Sequence, residues 1–132
     1  MGSKEGRRVI LVDDDASMSS ALARVLRLAG YVPAIFSSAE AVLGSEDARH
    51  ADCLVFDVHL PGLSGFELYE KLRCEGPLPP VIFITAYDEP ESRALADAAS
   101  AAAYLAKPFS GNDLMSAIAR AIRARIEGQS AH

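Results

Sequence analysis

Short apolar runs punctuate the chain at near-regular intervals: Val9–Val12, Ala34–Phe36, Cys53–Phe56, Val81–Ile84 and, more weakly, Ala103–Leu105. Each run is continuous instead of alternating, the pattern of a strand covered on both faces. Between them the apolar positions take helical spacing: Ala16–Ala29 before Gly30, Ala39–Leu43 before Gly44, Phe66–Arg73 before Gly76-Pro77, then Glu91–Ala99 and Asp113–Ile126. Gly30 and Gly44 are expected to be left-handed helix stops, and Ser38 and Ser110 to be N-caps, the latter with Asp113 three residues on. The alanine-rich stretch Ala94–Ala103 favours a helix that is stable locally but packs lightly, because its side chains are small. The polar stretch Ser45–Asp52 is expected to be looser. Strand and helix thus alternate about five times, which implies a parallel sheet wrapped by helices on both faces. In such sheets ligands bind beyond the carboxyl ends of the strands, where the strand order reverses.

Composition narrows the class. Half of the 132 residues are hydrophobic, enough for one substantial core without metals or crosslinks. Thirteen Lys and Arg against eighteen Asp and Glu leave a formal charge of -5, so direct binding of nucleic acid is not expected. Cys53 and Cys74 read as core filler, with no disulfide framework. No apolar stretch reaches membrane-spanning length, and nothing after Met1–Arg8 resembles a signal peptide, so a soluble cytoplasmic protein without membrane contact is expected. Residues 1–8 are expected to be disordered or a cloning remnant, residues 9–126 to form the domain, and residues 127–132 to be a tail.

Chemistry gathers where the strands end: Asp13-Asp14 after the first, Asp57 after the third, Thr85 after the fourth and Lys107 after the fifth. Asp13-Asp14-Asp15 alone is ambiguous, because an acidic run before a helix also caps its amides and complements its dipole. Asp57 is harder to dismiss, since a carboxylate ending a buried strand is costly unless paired or coordinated. Strand-end carboxylates facing one crevice repel unless a cation intervenes. Oxygen ligands select a hard ion, and Mg²⁺ takes one or two carboxylates with waters and a substrate phosphate. The set therefore suits phosphoryl transfer to a carboxylate, with Lys107 and Thr85 placed to meet phosphoryl oxygens.

Four segments carry a resemblance: Ile10–Asp15, Phe56–Gly65, Phe83–Tyr87 and Tyr104–Phe109. Together they resemble the signature segments of bacterial response-regulator receiver domains, of the CheY-like superfamily, over about Val9 to Arg125. The receivers of nitrogen-fixation and LuxR-type regulators are the nearest in flavour. The resemblance implies an α/β, flavodoxin-like doubly wound sheet of five parallel strands in the order 2-1-3-4-5. It implies that Asp57 is the phosphoacceptor and also a Mg²⁺ ligand, Asp14 a direct Mg²⁺ ligand, Asp13 a ligand through water, and His59 a ligand through its backbone carbonyl. Thr85 and Lys107 match the phosphate-contacting hydroxyl and ammonium, the Lys107-Pro108 bond is expected to be cis, and Tyr104 matches an aromatic that turns from outside to inside on phosphorylation. His59 and Tyr87 are expected to tune the access of water, while His50 and His132 should be exposed. Where many receivers have Gly-Ala before the fifth strand, this chain has Ser100-Ala101, which puts the geometry of that turn in question.

The activity so implied is not that of a conventional enzyme: the domain catalyses its own aspartyl phosphorylation and dephosphorylation. Its expected partners are a sensor histidine kinase or phosphotransfer protein upstream, and a phosphorylation-dependent homodimer or effector downstream. Two other readings compete. A Mg²⁺-dependent phosphatase with an aspartate nucleophile usually has a second aspartate two residues on, where this chain has His59. A nucleotide- or flavin-binding module needs a phosphate loop after the first strand, where Asp13-Asp14-Asp15 would repel phosphate.

Overall fold

The computed structural model of the protein describes residues 6–130. The readings made for residues 1–5 and for His132 lie outside them. The chain runs β1 (Arg8–Val12), α1 (Ala16–Leu28), β2 (Val32–Phe36), α2 (Ala39–Leu43), α3 (Asp47–His50), β3 (Cys53–Asp57), α4 (Gly65–Arg73), β4 (Val81–Thr85), α5 (Pro90–Ala98), β5 (Ala103–Ala106) and α6 (Gly111–Ser130). All strand pairs are parallel, in the order β2-β1-β3-β4-β5. The chain leaves β1 toward β2 on one side and returns to β3 on the other, so the switch point falls between the ends of β1 and β3. That crevice receives Asp13 and Asp57.

Continuous apolar strands let each face of the sheet build its own core. Ile10, Val12, Leu54, Phe56 and Phe83 point toward α2, α4 and α5, meeting Val42, Leu68, Leu72 and Ala96. Val9, Leu11, Val55, Ile82 and Ile84 point the other way, onto Leu22 and Leu26 of α1 and Leu114 and Ile118 of α6. Burying one such aliphatic or aromatic side chain is worth roughly 1.5–3 kcal/mol, so the two layers together dominate stability. β3 and β4 are buried throughout. The edge strands are not, and Val32 and Ile35 of β2 stay exposed. Among the described residues no helix is long and apolar enough to cross a membrane.

Several local expectations are corrected. Gly30 is left-handed at φ 97°, but Gly44 has φ −81°, because the chain turns on into a further one-turn helix, α3. That helix occupies the stretch read as loose and is anchored by Arg49, whose guanidinium donates to the Leu72 carbonyl at 2.7 Å. At the start, Arg8 already belongs to β1, Val32 N–H donates to the Arg7 carbonyl, and Gly6 N–H donates to the Gly30 carbonyl. At the other end α6 continues to Ser130, past the Ile126 at which its periodicity faded. Cys53 is core filler, its thiol pushed up to about 12 by burial, whereas Cys74 is exposed. The α5 helix packs lightly as expected, burying Ser92 and Ala96 while Leu95 stays half exposed.

The ends of α1 and α5 share one motif. In α1, Gly30 N–H donates to the Arg27 carbonyl and Tyr31 N–H to that of Leu26; in α5, Ser100 donates to Asp97 and Ala101 to Ala96. Both are Schellman caps, which require a left-handed residue. In α5 that residue is Ser100, at φ 57°, so a side chain occupies a position suited to glycine. Gly65 presents the opposite constraint, since a Cβ there would lie 2.4 Å from the carbonyl oxygen of Asp57. We therefore expect Ser100→Gly to stabilise the fold by about 0.5–1 kcal/mol. Gly65→Ala should destabilise it by about 2 kcal/mol or more. Urea unfolding midpoints at constant slope would show both, and equal midpoints for Gly65→Ala and the parent would refute the steric argument.

Candidate functional site

β1, β3 and β5 deliver their terminal side chains to one crevice. Lys107, just past β5, places Nζ 2.9 Å from Asp57 Oδ2 and 3.1 Å from Asp13 Oδ2. Its own N–H donates to the Thr85 carbonyl at 2.7 Å, and its peptide bond to Pro108 is cis. The remaining oxygens of the two buried carboxylates face backbone amides: His59 N–H donates to Asp57 Oδ1 and Asp15 N–H to Asp13 Oδ1, both at 2.9 Å. Asp14 is exposed at the mouth, and carboxylate oxygens of Asp13, Asp14 and Asp57 lie within 4.8 Å of one another. The triple aspartate serves both of its readings, divided by residue. Asp15 caps α1 by accepting from Met18 N–H, which leaves Asp13 and Asp14 for the cluster.

The charges do not balance. Two like charges 4.8 Å apart repel by roughly 3–4 kcal/mol at an effective dielectric of about 20, and the cluster contains three such pairs against the two bonds of one ammonium. Burial raises the proton affinity of Asp57, against the hydrogen bonds from Lys107 and His59 and with the neighbouring charge of Asp13. Burial also pulls on the Lys107 ammonium, but its bonds to Asp57 and Asp13 win and hold its pKa above the ordinary value. An all-oxygen, net-negative donor set fits a hard divalent cation. The cluster could bind such a metal.

Thr85 and Tyr104 are not part of this constellation. Thr85 is fully buried, and its hydroxyl turns to the following loop, donating to the Tyr87 carbonyl at 3.2 Å and accepting from Tyr87 N–H at 3.0 Å. Tyr104 stands half-buried on β5, packed against the core with its hydroxyl shielded from solvent, an inward placement where an outside position before phosphorylation was expected. The exposed His59 and Tyr87 rings meet edge to face at 5.0 Å, each two residues beyond a strand-end residue, Asp57 and Thr85. His50 is exposed. Sequence reasoning missed the Ser64–Glu67 capping box that starts α4 and the Asp88–Arg93 ion pair after β4. A Ser followed three residues later by Glu was the available signal for the first; the second left none.

Comparison with known proteins agrees with this geometry. Residues 9–119 match the family model described as the response regulator receiver domain. The response regulator protein TmoT of Ectopseudomonas mendocina is 34% identical over 115 residues, covering 87% of this chain and 52% of that protein. The DNA-binding transcriptional regulator NtrC of Salmonella typhimurium is 32% identical over 114 residues, 86% of this chain and 24% of that protein. The chain thus spans about half of TmoT and less of NtrC. Among solved structures, a CheY-like receiver domain protein from Methanospirillum hungatei superposes with a TM-score of 0.86 at 27% identity, covering 94% of this chain and 99% of that one.

The raised pKa of Asp57 has a consequence for stability. The folded protein binds this proton more tightly than the unfolded chain, so the cost of ionising Asp57 is absent below the unfolded pKa and complete above the folded one. Asp57→Asn should therefore melt higher than the parent at pH 7 in Mg²⁺-free buffer, by roughly 3–5 °C for a gain of about 1 kcal/mol. The advantage should shrink as the pH falls through the window between the two pKa values. Thermal melts across that range check it, and a lower melting temperature for the variant at pH 7 would refute the charge argument.

Proposed function

The chain belongs to the response regulator receiver domain family, and from that premise we propose that Asp57 is its phosphoacceptor, working with a Mg²⁺ ion that Asp14, Asp57 itself and the His59 carbonyl would hold directly and Asp13 through water. The observation that carries this reading is the setting of Asp57: a buried carboxylate ending a central strand, between a bridging ammonium and two further carboxylates. An Asp57 oxygen attacks the phosphorus of a phosphohistidine; the new P–O bond forms as the P–N bond breaks, and the imidazole leaves with that electron pair and takes up a proton. A bound Mg²⁺ would draw charge from the phosphoryl oxygens and offset the carboxylates. Every other role falls to the chain itself.

Lys107 is poised for two states. In the free domain it divides its donors between Asp13 and Asp57, and on phosphorylation it transfers one to a phosphoryl oxygen, keeping Asp13 as its anchor. Thr85 has a single hydroxyl proton, now given to the Tyr87 carbonyl, so its bond to a phosphoryl oxygen requires the Tyr87 turn to let go. His59 and Tyr87 narrow the path by which water reaches the aspartyl phosphate. Receiver domains take their phosphoryl group from histidine kinases. For this chain the donor is a sensor kinase or phosphotransfer protein, and the output is a homodimer or effector meeting the face of α5, β5 and α6. The phosphatase and nucleotide-binding readings have nothing in the site to favour them over the family's chemistry.

Intact mass after treatment with phosphoramidate and Mg²⁺ should show one acid-labile phosphoryl adduct, absent in Asp57→Asn; an adduct of equal yield in that variant would sink the assignment. Isothermal titration should show Mg²⁺ affinity falling about tenfold or more in Asp14→Ala and less in Asp13→Ala, where a water intervenes. Unchanged affinity in both would remove the metal from this crevice.

A further inference from the structure

Outside the carboxylate cluster, three side chains near the end of β4 form a connected assembly. Asp88, in the turn after β4, accepts two hydrogen bonds from Arg93 of α5, Nε to Oδ1 and Nη2 to Oδ2, each at 2.7 Å. The same guanidinium lies over the ring of Tyr104 on β5, 5.0 Å from its centroid. A paired fork fixes the orientation of a guanidinium, and a cation over an aromatic face is attracted to it. Arg93 is thus held by Asp88 and roofs Tyr104.

Under this roof the Tyr104 hydroxyl is shielded from solvent without a fully formed hydrogen bond, its nearest polar neighbours being the Ser92 and Asp88 side chains, which stand close enough to interact with the phenol. A buried hydroxyl so weakly bonded disfavours the inward position, and an outward ring would return it to water. Something must offset that cost, and Arg93 is the group placed over the ring. A rearranged Thr85 is not what holds it, since that hydroxyl still donates to the Tyr87 carbonyl. The ion pair is largely exposed, with side chains 60% and 36% accessible, so its contribution is a shift of population and not the integrity of the fold.

We propose that Asp88 and Arg93 form a clamp that holds Tyr104 inward before any phosphoryl group arrives, leaving Thr85 and the Tyr87 turn as the part that responds to phosphorylation. The proposal rests on the reading of Asp57 as phosphoacceptor for its second half only. It divides a switch that would otherwise be one motion: the ring is set by an ion pair on the surface, and the hydroxyl by chemistry in the crevice. Weakening the clamp should return control of the ring to phosphorylation.

The test follows the Tyr104 ring and Arg93 Nε–Hε resonances in the full 132-residue chain and in Asp88→Asn, with and without phosphoramidate and Mg²⁺, with intact mass measured on the same samples. Before phosphorylation, Asp88→Asn should move the Arg93 resonance to the position of free arginine and displace the Tyr104 ring signals. After phosphorylation, the parent should shift its Thr85 and Tyr87 amides but move the ring about tenfold less than the variant, whose ring should return toward the parent's position. Arg93→Gln, which removes the roof and the pair together, should reproduce the ring displacement. Ring signals that coincide in the parent and both variants before phosphorylation would overturn the clamp, as would equal ring excursions on phosphorylation. Absence of an adduct in the parent would overturn the Asp57 reading and the division of the switch, while the comparison without phosphoramidate still judges the clamp.

Discussion

The ammonium of Lys107, shared between Asp13 and Asp57, is the interaction on which the arrangement of this molecule turns. Three strands must end in register for it to form, because its partners come from β1, β3 and the segment after β5, separated by 94 and 50 residues of sequence. Without it two buried carboxylates would face each other at low dielectric, and one of them would hold a proton. With it both are bonded, yet the cluster stays negative. The crevice is thereby stable enough to fold and charged enough to bind.

The sheet makes this affordable. β3 and β4 are buried along their whole length, and the aromatic group of Phe56, Phe66, Tyr69 and Phe83, with Phe66 and Phe83 centroids at 4.5 Å, packs immediately behind the crevice. Rigid packing of this kind resists small displacements, so the Asp57 carboxylate is held by the strand and not by its polar partners alone. Gly65 adds a second restraint. Its bare Cα lets α4 start against the Asp57 carbonyl, so the loop from Val58 to Ser64 must fold back over the site.

Most of this was legible in the sequence, for a physical reason. Strands buried on both faces have to be continuously apolar, so the polar residues that end them, Asp13, Asp57, Thr85 and Lys107, stand out without any knowledge of the fold. Interactions that depend on side-chain direction were not legible. Nothing in the string Thr85–Tyr87 says that the hydroxyl turns into the loop, and nothing around Tyr104 says that an arginine eleven residues earlier roofs its ring. The turn at Ser100 lies between these cases: a missing glycine was visible, but only the backbone shows that serine accepts the left-handed conformation instead of reshaping the turn. The extension of α6 to Ser130 was hidden by Gly128, a weak helix former that a long helix can carry.

Charge also explains why recognition of metal and phosphoryl group should be inseparable in such a crevice. An aspartyl phosphate carries more negative charge than the carboxylate it replaces, and here it would form within a cluster whose single ammonium already serves two acids. Lys107 could follow the phosphoryl group only by relaxing its hold on Asp57, which would cease to be a free carboxylate in the same step, so its bond would change partner without being lost. Asp13 and Asp14 have no such exchange open to them. Their repulsion from incoming phosphoryl oxygens would grow as the bond formed, and a divalent cation held by these carboxylates would offset it. On the proposed reading, the acidic residues that would otherwise exclude phosphate would thereby become the reason it is accepted, and only in the company of a metal.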